Sequence, residues 1–206
     1  MASGVNNTNV SGDLARAVEI IKKGGVIAFP TDTVYCLAAA INFPEAVSRI
    51  FDIKGRQTTK ALPVLVTDSI QMRQVAEMTP LADLLVRRFM PGGLTIILNK
   101  KAMVPYIVTG AKETVAVRIP GHTLPLYLIK ACGNPLTGTS ANLSGHGSVC
   151  TAREVEAQIG HLVDFILDGG KCPGGKESTI IDLTSDHPSI VREGAVDRIE
   201  LEKFYK

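Results

Sequence analysis

Short apolar strand patterns interleaved with amphipathic helix patterns predict an α/β (α+β) domain, a twisted mixed β-sheet flanked by helices. Three observations carry this. VIAFP at 26–30 is short and fully apolar, as a buried strand is, and LTIIL at 94–98 and TVAVRIP at 114–120 are short and largely apolar. The longer stretches between them repeat apolar residues at helical spacing, as Val47, Ile50 and Phe51 do within EAVSRIFDIK. The alternation is not strict: two helix patterns follow each other after residue 67, and three strand patterns close the chain, which argues against a purely parallel doubly wound sheet.

Taken in order, the first helix is predicted from Asp13, a favourable N-cap, to the glycine stop at Gly24 and Gly25, with Leu14, Ala17, Val18 and Ile21 as its apolar stripe. VIAFP and VYCLAAA (34–40) read as strands around a PTDT turn, and EAVSRIFDIK as a helix. PVLVT (63–67) is a strand; DSIQMRQVAEM (68–78) and LADLLVRRF (81–89) are helices, the second opened by Pro80. After LTIIL and TVAVRIP come a helix at LPLYLIKAC (124–132) and a short strand within PLTGTS (135–140). TAREVEAQI (151–159) is a helix, with Thr151 as cap and Glu154 placed for a capping box. VDFILD, STIIDL and SIVRE are the late strands.

The 206 residues suit one domain, expected over 13–206, behind a polar N-terminal tail at 1–12 that reads as disordered and not as a signal peptide. No run approaches the ~20 apolar residues of a membrane span. Cys36, Cys132, Cys150 and Cys172 form no C-x-x-C pair or zinc spacing, so a reducing, cytoplasmic setting is expected. A net charge of +2 does not require a nucleic-acid partner, although it can conceal a basic cleft.

Four polar clusters stand at element ends. Pro30-Thr31-Asp32-Thr33-Val34-Tyr35 either holds a small polar substrate or closes a turn on its own backbone. Lys54-Gly55-Arg56 with Lys60 either forms an anion site or solvates a helix end. Thr139 through Gly145, with Ser148 beyond, offers hydroxyl and amide donors without bulk. Gly170 through Lys176 mimics a Walker A loop, but Glu177 stands where its Ser or Thr belongs and a strand follows, so that reading fails, while a phosphate-facing glycine loop stays open. Arg118 and Arg192 sit in apolar strands and each needs an anion, from the protein or from a ligand. The four histidines show no metal spacing, and no nucleophile elbow is present, which points to chemistry by positioning and charge neutralisation.

PTDTVY (30–35), KGR (54–56), PGGLTIIL (91–98), VAVRIP (115–120), TSANLSG (139–145), DGG (168–170) and ESTIIDL (177–183), in this order, resemble the YrdC/TsaC family of threonylcarbamoyl-AMP synthases in its single-domain form. The resemblance implies a fold with a concave basic cleft and a nucleotidyl transfer. In that reaction threonine's amine takes up bicarbonate or CO2, and the carbamate attacks the α-phosphate of ATP. It implies catalytic roles for Lys54, Arg56, Ser140 and Asn142, and ATP binding by Arg56, Lys60, Thr114, Ser140, Ser148 and Arg192. Thr33, Arg118, Gly138 and Ser178 would hold threonine. Magnesium would enter with ATP, with no protein ligand assigned, and the product would pass to a downstream tRNA threonylcarbamoyl transferase complex. Cys36, Gln57 and Leu65 depart from the family's usual glycine, proline and histidine. Two other functions compete: carbamoyl adenylation of another acceptor, as in the related module of hydrogenase maturation proteins, and non-catalytic or weak RNA binding by the basic cleft, for which 5% aromatic residues provide few stacking platforms.

Overall fold

The computed structural model describes residues 7–206, with side chains from residue 11 onward. Helix α1 runs Asn7–Lys22, so the start expected at Asp13 is corrected by two turns. Several residues upstream of Asp13 are equally good caps, and composition alone does not choose among them. The expected tail at 1–12 is therefore helical from residue 7, and residues 1–6 lie outside the described residues. Ala17 and Ile21 of the predicted stripe are fully buried.

The strands sort into two mixed sheets rather than one. In the first, β1 (Ile27–Phe29) pairs antiparallel with β2 (Cys36–Ala38) and parallel with β8 (Phe165–Ile166), while β7 (Thr139–Ser140) flanks β2. In the second, the order is β10 (Ser189–Arg192), β9 (Thr179–Asp182), β4 (Leu94–Asn99), β5 (Thr114–Arg118), β3 (Val64–Leu65) and β6 (Leu136–Thr137). Its β4–β9 and β3–β5 pairs are parallel and its β4–β5 pair antiparallel.

Helix α2 (Pro44–Lys54) begins at proline, buries Val47, Ile50 and Phe51, and ends at Gly55 in the left-handed conformation (φ 57°). Helices α3 (Ser69–Val75) and α4 (Pro80–Phe89) are capped by the side chains of Asp68 and Thr79. The one-turn α5 (Tyr106–Thr109) was not predicted: YIVT is β-branched and aromatic, and its ends are set by Pro105 and the left-handed Gly110. Helix α6 (Thr123–Cys132) is capped by His122, and α7 (Ala152–Ile159) carries the predicted Thr151–Glu154 capping box. A short α8 (Arg198–Glu202), capped by Asp197, was also unpredicted.

The chain crosses between the sheets at Gly138, between β6 and β7. There Gly138 N–H donates to the Pro63 carbonyl at 2.7 Å, and a Cβ at this glycine would lie 2.5 Å from Leu65 Cγ. Replacing Gly138 by alanine must push Leu65 out of a packed core, an overpacking cost of about 1–3 kcal/mol. Alanine at Gly147, whose Cβ position is open, is expected to cost under about 0.5 kcal/mol. Urea denaturation of the two variants tests this, and equal midpoints would contradict it.

Candidate active site

Two abutting cavities, of about 280 and 450 Å³, open where the sheets meet. Arg56, Ser140 and Glu177 line both. The first also takes Thr33, Gly138, Ser178, Arg118 and Arg192 into its wall, with Leu65, Ile97 and Ile180 as apolar surface. The second is bounded by Lys54, Lys60, Asn142 and Ser148. Eleven of the twelve candidate residues are thus brought together. The exception, Thr114, shares a face of β5 with Ala116 and Arg118 by strand parity, but at ~3.3 Å per residue it begins the strand well beyond the linings.

The PTDT turn closes on its own backbone and still turns one side chain toward the cavity. Thr31 Oγ1 accepts the backbone N–H groups of Thr33 and Val34 and donates to the Val34 carbonyl at 2.8 Å, so the turn satisfies itself. That leaves Thr33 Oγ1 in the cavity, accepting from Arg118 Nη1 at 2.9 Å. Arg118, at the end of β5, also donates from Nε to the Gly92 carbonyl (2.9 Å) and from Nη2 to Asp32 Oδ1 (2.6 Å). Its anion is therefore a protein carboxylate, and three of its five N–H donors are spent.

Lys54 is 3% exposed, and its ammonium donates to the carbonyls of Ser140 and Asn142 and to Asn142 Oδ1 at 3.0 Å. Burial, and then the adjacent Arg56 charge, pull its pKa down to about 8. Asn142 completes the link by donating Nδ2 to the His146 carbonyl, so Lys54 and Asn142 set the shape of the 140–146 loop. Arg56 donates Nη2 to the Ala61 carbonyl at 3.0 Å, while its buried Nε–H has no partner. Burial lowers its pKa. Lys60 is exposed.

Arg192 is anchored to Ser178: Nε and Nη2 donate to the Ser178 carbonyl at 3.1 and 2.9 Å, and Nη1 pairs with Glu177. Ser178 Oγ shares a hydrogen with Thr95 Oγ1 across 2.8 Å. Glu177 also accepts from Ser148 Oγ at 2.7 Å. Burial pushes its carboxyl upward, but Ser148 and Arg192 outweigh this and hold it below the usual range.

Among the described lining residues Glu177 is the one carboxylate, against Lys54, Arg56, Lys60, Arg118 and Arg192. Two acids, Asp32 and Glu177, offset two of these cations and leave a surplus of three positive charges. Glu177 and Thr95 escaped the sequence reading. Thr95 sits inside an apolar strand pattern with no polar signal beside it, whereas Glu177, next to a candidate serine, could have been found. The glycine loop is corrected: residues 169–176 line neither cavity. Instead a Cβ at Gly174 would meet the Asp32 carbonyl at 2.6 Å, and Gly175 N–H donates to the Thr33 carbonyl, so these glycines pack against the PTDT turn. Cys36, also in the first cavity, is kept a neutral thiol by burial, its pKa pushed up to about 12. All four cysteines are free. Among the described residues no metal-binding cluster of acids, histidines and cysteines occurs, and no helix is long and apolar enough to cross a membrane.

Comparison with known proteins matches this architecture. A curated relative from Pyrococcus abyssi, named threonylcarbamoyl-AMP synthase, is 40% identical over 188 residues, 91% of this chain and 55% of its own. The chain thus spans about half the length of that relative. The crystal structure of P. abyssi Sua5 complexed with L-threonine superposes with a TM-score of 0.90 at 39% identity, covering 93% of this chain and 56% of that one. The crystal structure of Escherichia coli YciO gives 0.83 at 33% identity, covering 89% and 90%. The Sua5/YciO/YrdC family model, described as telomere recombination, matches residues 19–194. By that match and these identities, the chain belongs to the Sua5/YciO/YrdC family.

Proposed function

We propose that this chain is a threonylcarbamoyl-AMP synthase, joining L-threonine, bicarbonate or CO2 and ATP with release of pyrophosphate. The observation that carries the reading is the convergence of Lys54, Arg56, Lys60, Arg118 and Arg192, from three separate segments, on two joined cavities with one carboxylate in their walls. The roughly four negative charges of a triphosphate need such a surplus, and a small amino acid suits the partly apolar first cavity. The name of the P. abyssi relative and the threonine bound in its structure support the same substrates.

In this reading threonine occupies the first cavity, its carboxylate on the two N–H donors that Arg118 has left, beside Thr33, Gly138 and the Ser178 hydroxyl. Its amine adds to CO2 and loses a proton to give a carbamate. One carbamate oxygen forms a bond to the α-phosphorus as the bond to pyrophosphate breaks. No protein nucleophile is required; the residues hold the two oxygens in line and neutralise phosphate charge. Arg56, Ser140, Lys60, Ser148 and Arg192 face the phosphates, and Thr114, outside both linings, would meet the rest of the nucleotide. Lys54 is a positioning residue, because its three donors hold the loop that carries Ser140 and Asn142. Magnesium, which keeps waters and substrate oxygens as ligands, would enter on the triphosphate. The labile adenylate would be consumed by a tRNA threonylcarbamoyl transferase, in the cytoplasm.

Incubation with labelled bicarbonate, ATP and single amino acids is expected to give threonine-dependent pyrophosphate and a labelled adenylate. Release without amino acid selectivity, or none, would sink the reading. Arg56→Ala is expected to lower that release at least tenfold with a thermal midpoint within a few degrees, since its protein contacts amount to one carbonyl bond. Near-normal turnover would count against the assigned site.

Lys54 gives a pH signature. It is half charged at about pH 8, gains the full charge well below that value and loses a proton, a donor and its charge well above it. ATP affinity is therefore expected to fall at least threefold as pH rises through that value, and to be weak and flat from pH ~7 to ~9.5 in Lys54→Met. Equilibrium dialysis decides this; a flat wild-type profile refutes it.

A further inference from the structure

We propose that Glu177 is a resident anion of the phosphate site, and that nucleotide binds by taking over its partners Ser148 and Arg192. The inference rests on the ATP reading above and goes beyond it in assigning a role to a residue outside the expected ligand set.

The geometry is specific. One carboxylate oxygen accepts from Ser148 Oγ at 2.7 Å, and the other pairs with Arg192 Nη1. Two oxygens on one centre, held by a hydroxyl and a guanidinium, are the contacts a phosphate would make with the same two side chains. Glu177 lines both cavities and stands at their junction. Phosphate oxygens placed there while the carboxylate stays would put like charges side by side, which disfavours both.

The surroundings allow the carboxylate to leave alone. Its backbone is fixed: the Glu177 carbonyl accepts from Ala195 N–H at 2.8 Å, and a Cβ at Gly194 would lie 2.3 Å from that carbonyl. The side chain, by contrast, is 30% exposed and can rotate toward solvent. Arg192 does not follow it, because Nε and Nη2 remain on the Ser178 carbonyl. Departure of Glu177 therefore presents a pre-aimed Nη1 and a free Ser148 hydroxyl to the incoming anion. Until then the carboxylate lowers the repulsion between Arg192 and Arg56, whose charges oppose one another.

Isothermal titration of wild type and Glu177→Gln, each with ATP and with inorganic pyrophosphate in EDTA, tests the exchange. Glutamine keeps the shape and removes the competing charge. Three- to tenfold tighter binding of both probes is expected, with Glu177→Ala changing in the same direction. Thermal midpoints should stay within a few degrees, the pair being partly exposed. If wild type binds ATP and Glu177→Gln binds it equally or more weakly, Glu177 merely supports Arg192; the exchange is then refuted while the ATP reading survives. If no form binds either probe, the ATP reading falls and the exchange with it. Binding by Glu177→Gln alone would support the exchange in its strongest form.

Discussion

A single buried ammonium holds the wall of the second cavity in shape. Lys54 ends α2, and its three donors are used on the end of β7 and the loop after it, across 86 and 88 residues of sequence. Helix ends attract cations through the carbonyl dipoles, but here that favourable term is small beside the cost of burying the charge, so the pKa falls. The compensation is geometric. Every proton has an acceptor, and the helix end, Gly55 and the 140–146 loop become one unit. Gly55, left-handed at the helix end, turns the chain so that Arg56 follows Lys54 into the same space.

The first cavity is built on the opposite principle. Arg118 meets a protein carboxylate, Asp32, which also accepts from Gly121 N–H at 2.9 Å. Removing either member of so buried a pair would strand the other. Asp32 fixes the guanidinium plane, and Thr33, one residue on, hydrogen-bonds the same guanidinium and lines the cavity. The glycines at 174 and 175 allow the next loop to close over this turn. The PTDT turn, β5 and the glycine loop are therefore one packing unit, although they lie far apart in the chain.

Most elements were legible from periodicity because their faces are buried: the stripe of α2 and the apolar runs of β1, β4 and β5 belong to the core. The cap of α7 was legible because a capping box is a local motif. What escaped was decided by distant contacts. YIVT has weak helical propensity and no apolar periodicity, and its helical turn is bounded by Pro105 and Gly110. PLTGTS reads as one strand end but is two strands in two sheets, since Gly138 alone tolerates the approach of Leu65. Within the site, residue types pointed to the right loops, whereas their partners depended on the fold: nothing local pairs Asp32 with Arg118, and Glu177 served only to dismiss a Walker A loop.

Each candidate cation has a structural reading beside the ligand contact, an ion pair for Arg118 and Arg192 and a solvated helix end for Lys54, Arg56 and Lys60, and the kind of partner separates them. A carboxylate cancels charge, as Asp32 does for Arg118. A carbonyl satisfies a donor and leaves the charge in place. Lys54 is bound by carbonyl and amide oxygens, Arg56 by the Ala61 carbonyl, and Arg192 in part by the Ser178 carbonyl. These bonds fix the side chains in space at little electrostatic cancellation, and the buried Arg56 Nε–H is left with a donor to give. A protein that needed these cations only for stability would gain more by pairing each with an acid. Oriented but unneutralised charge is what an anion-binding site requires, because the ligand then supplies the missing half of the interaction.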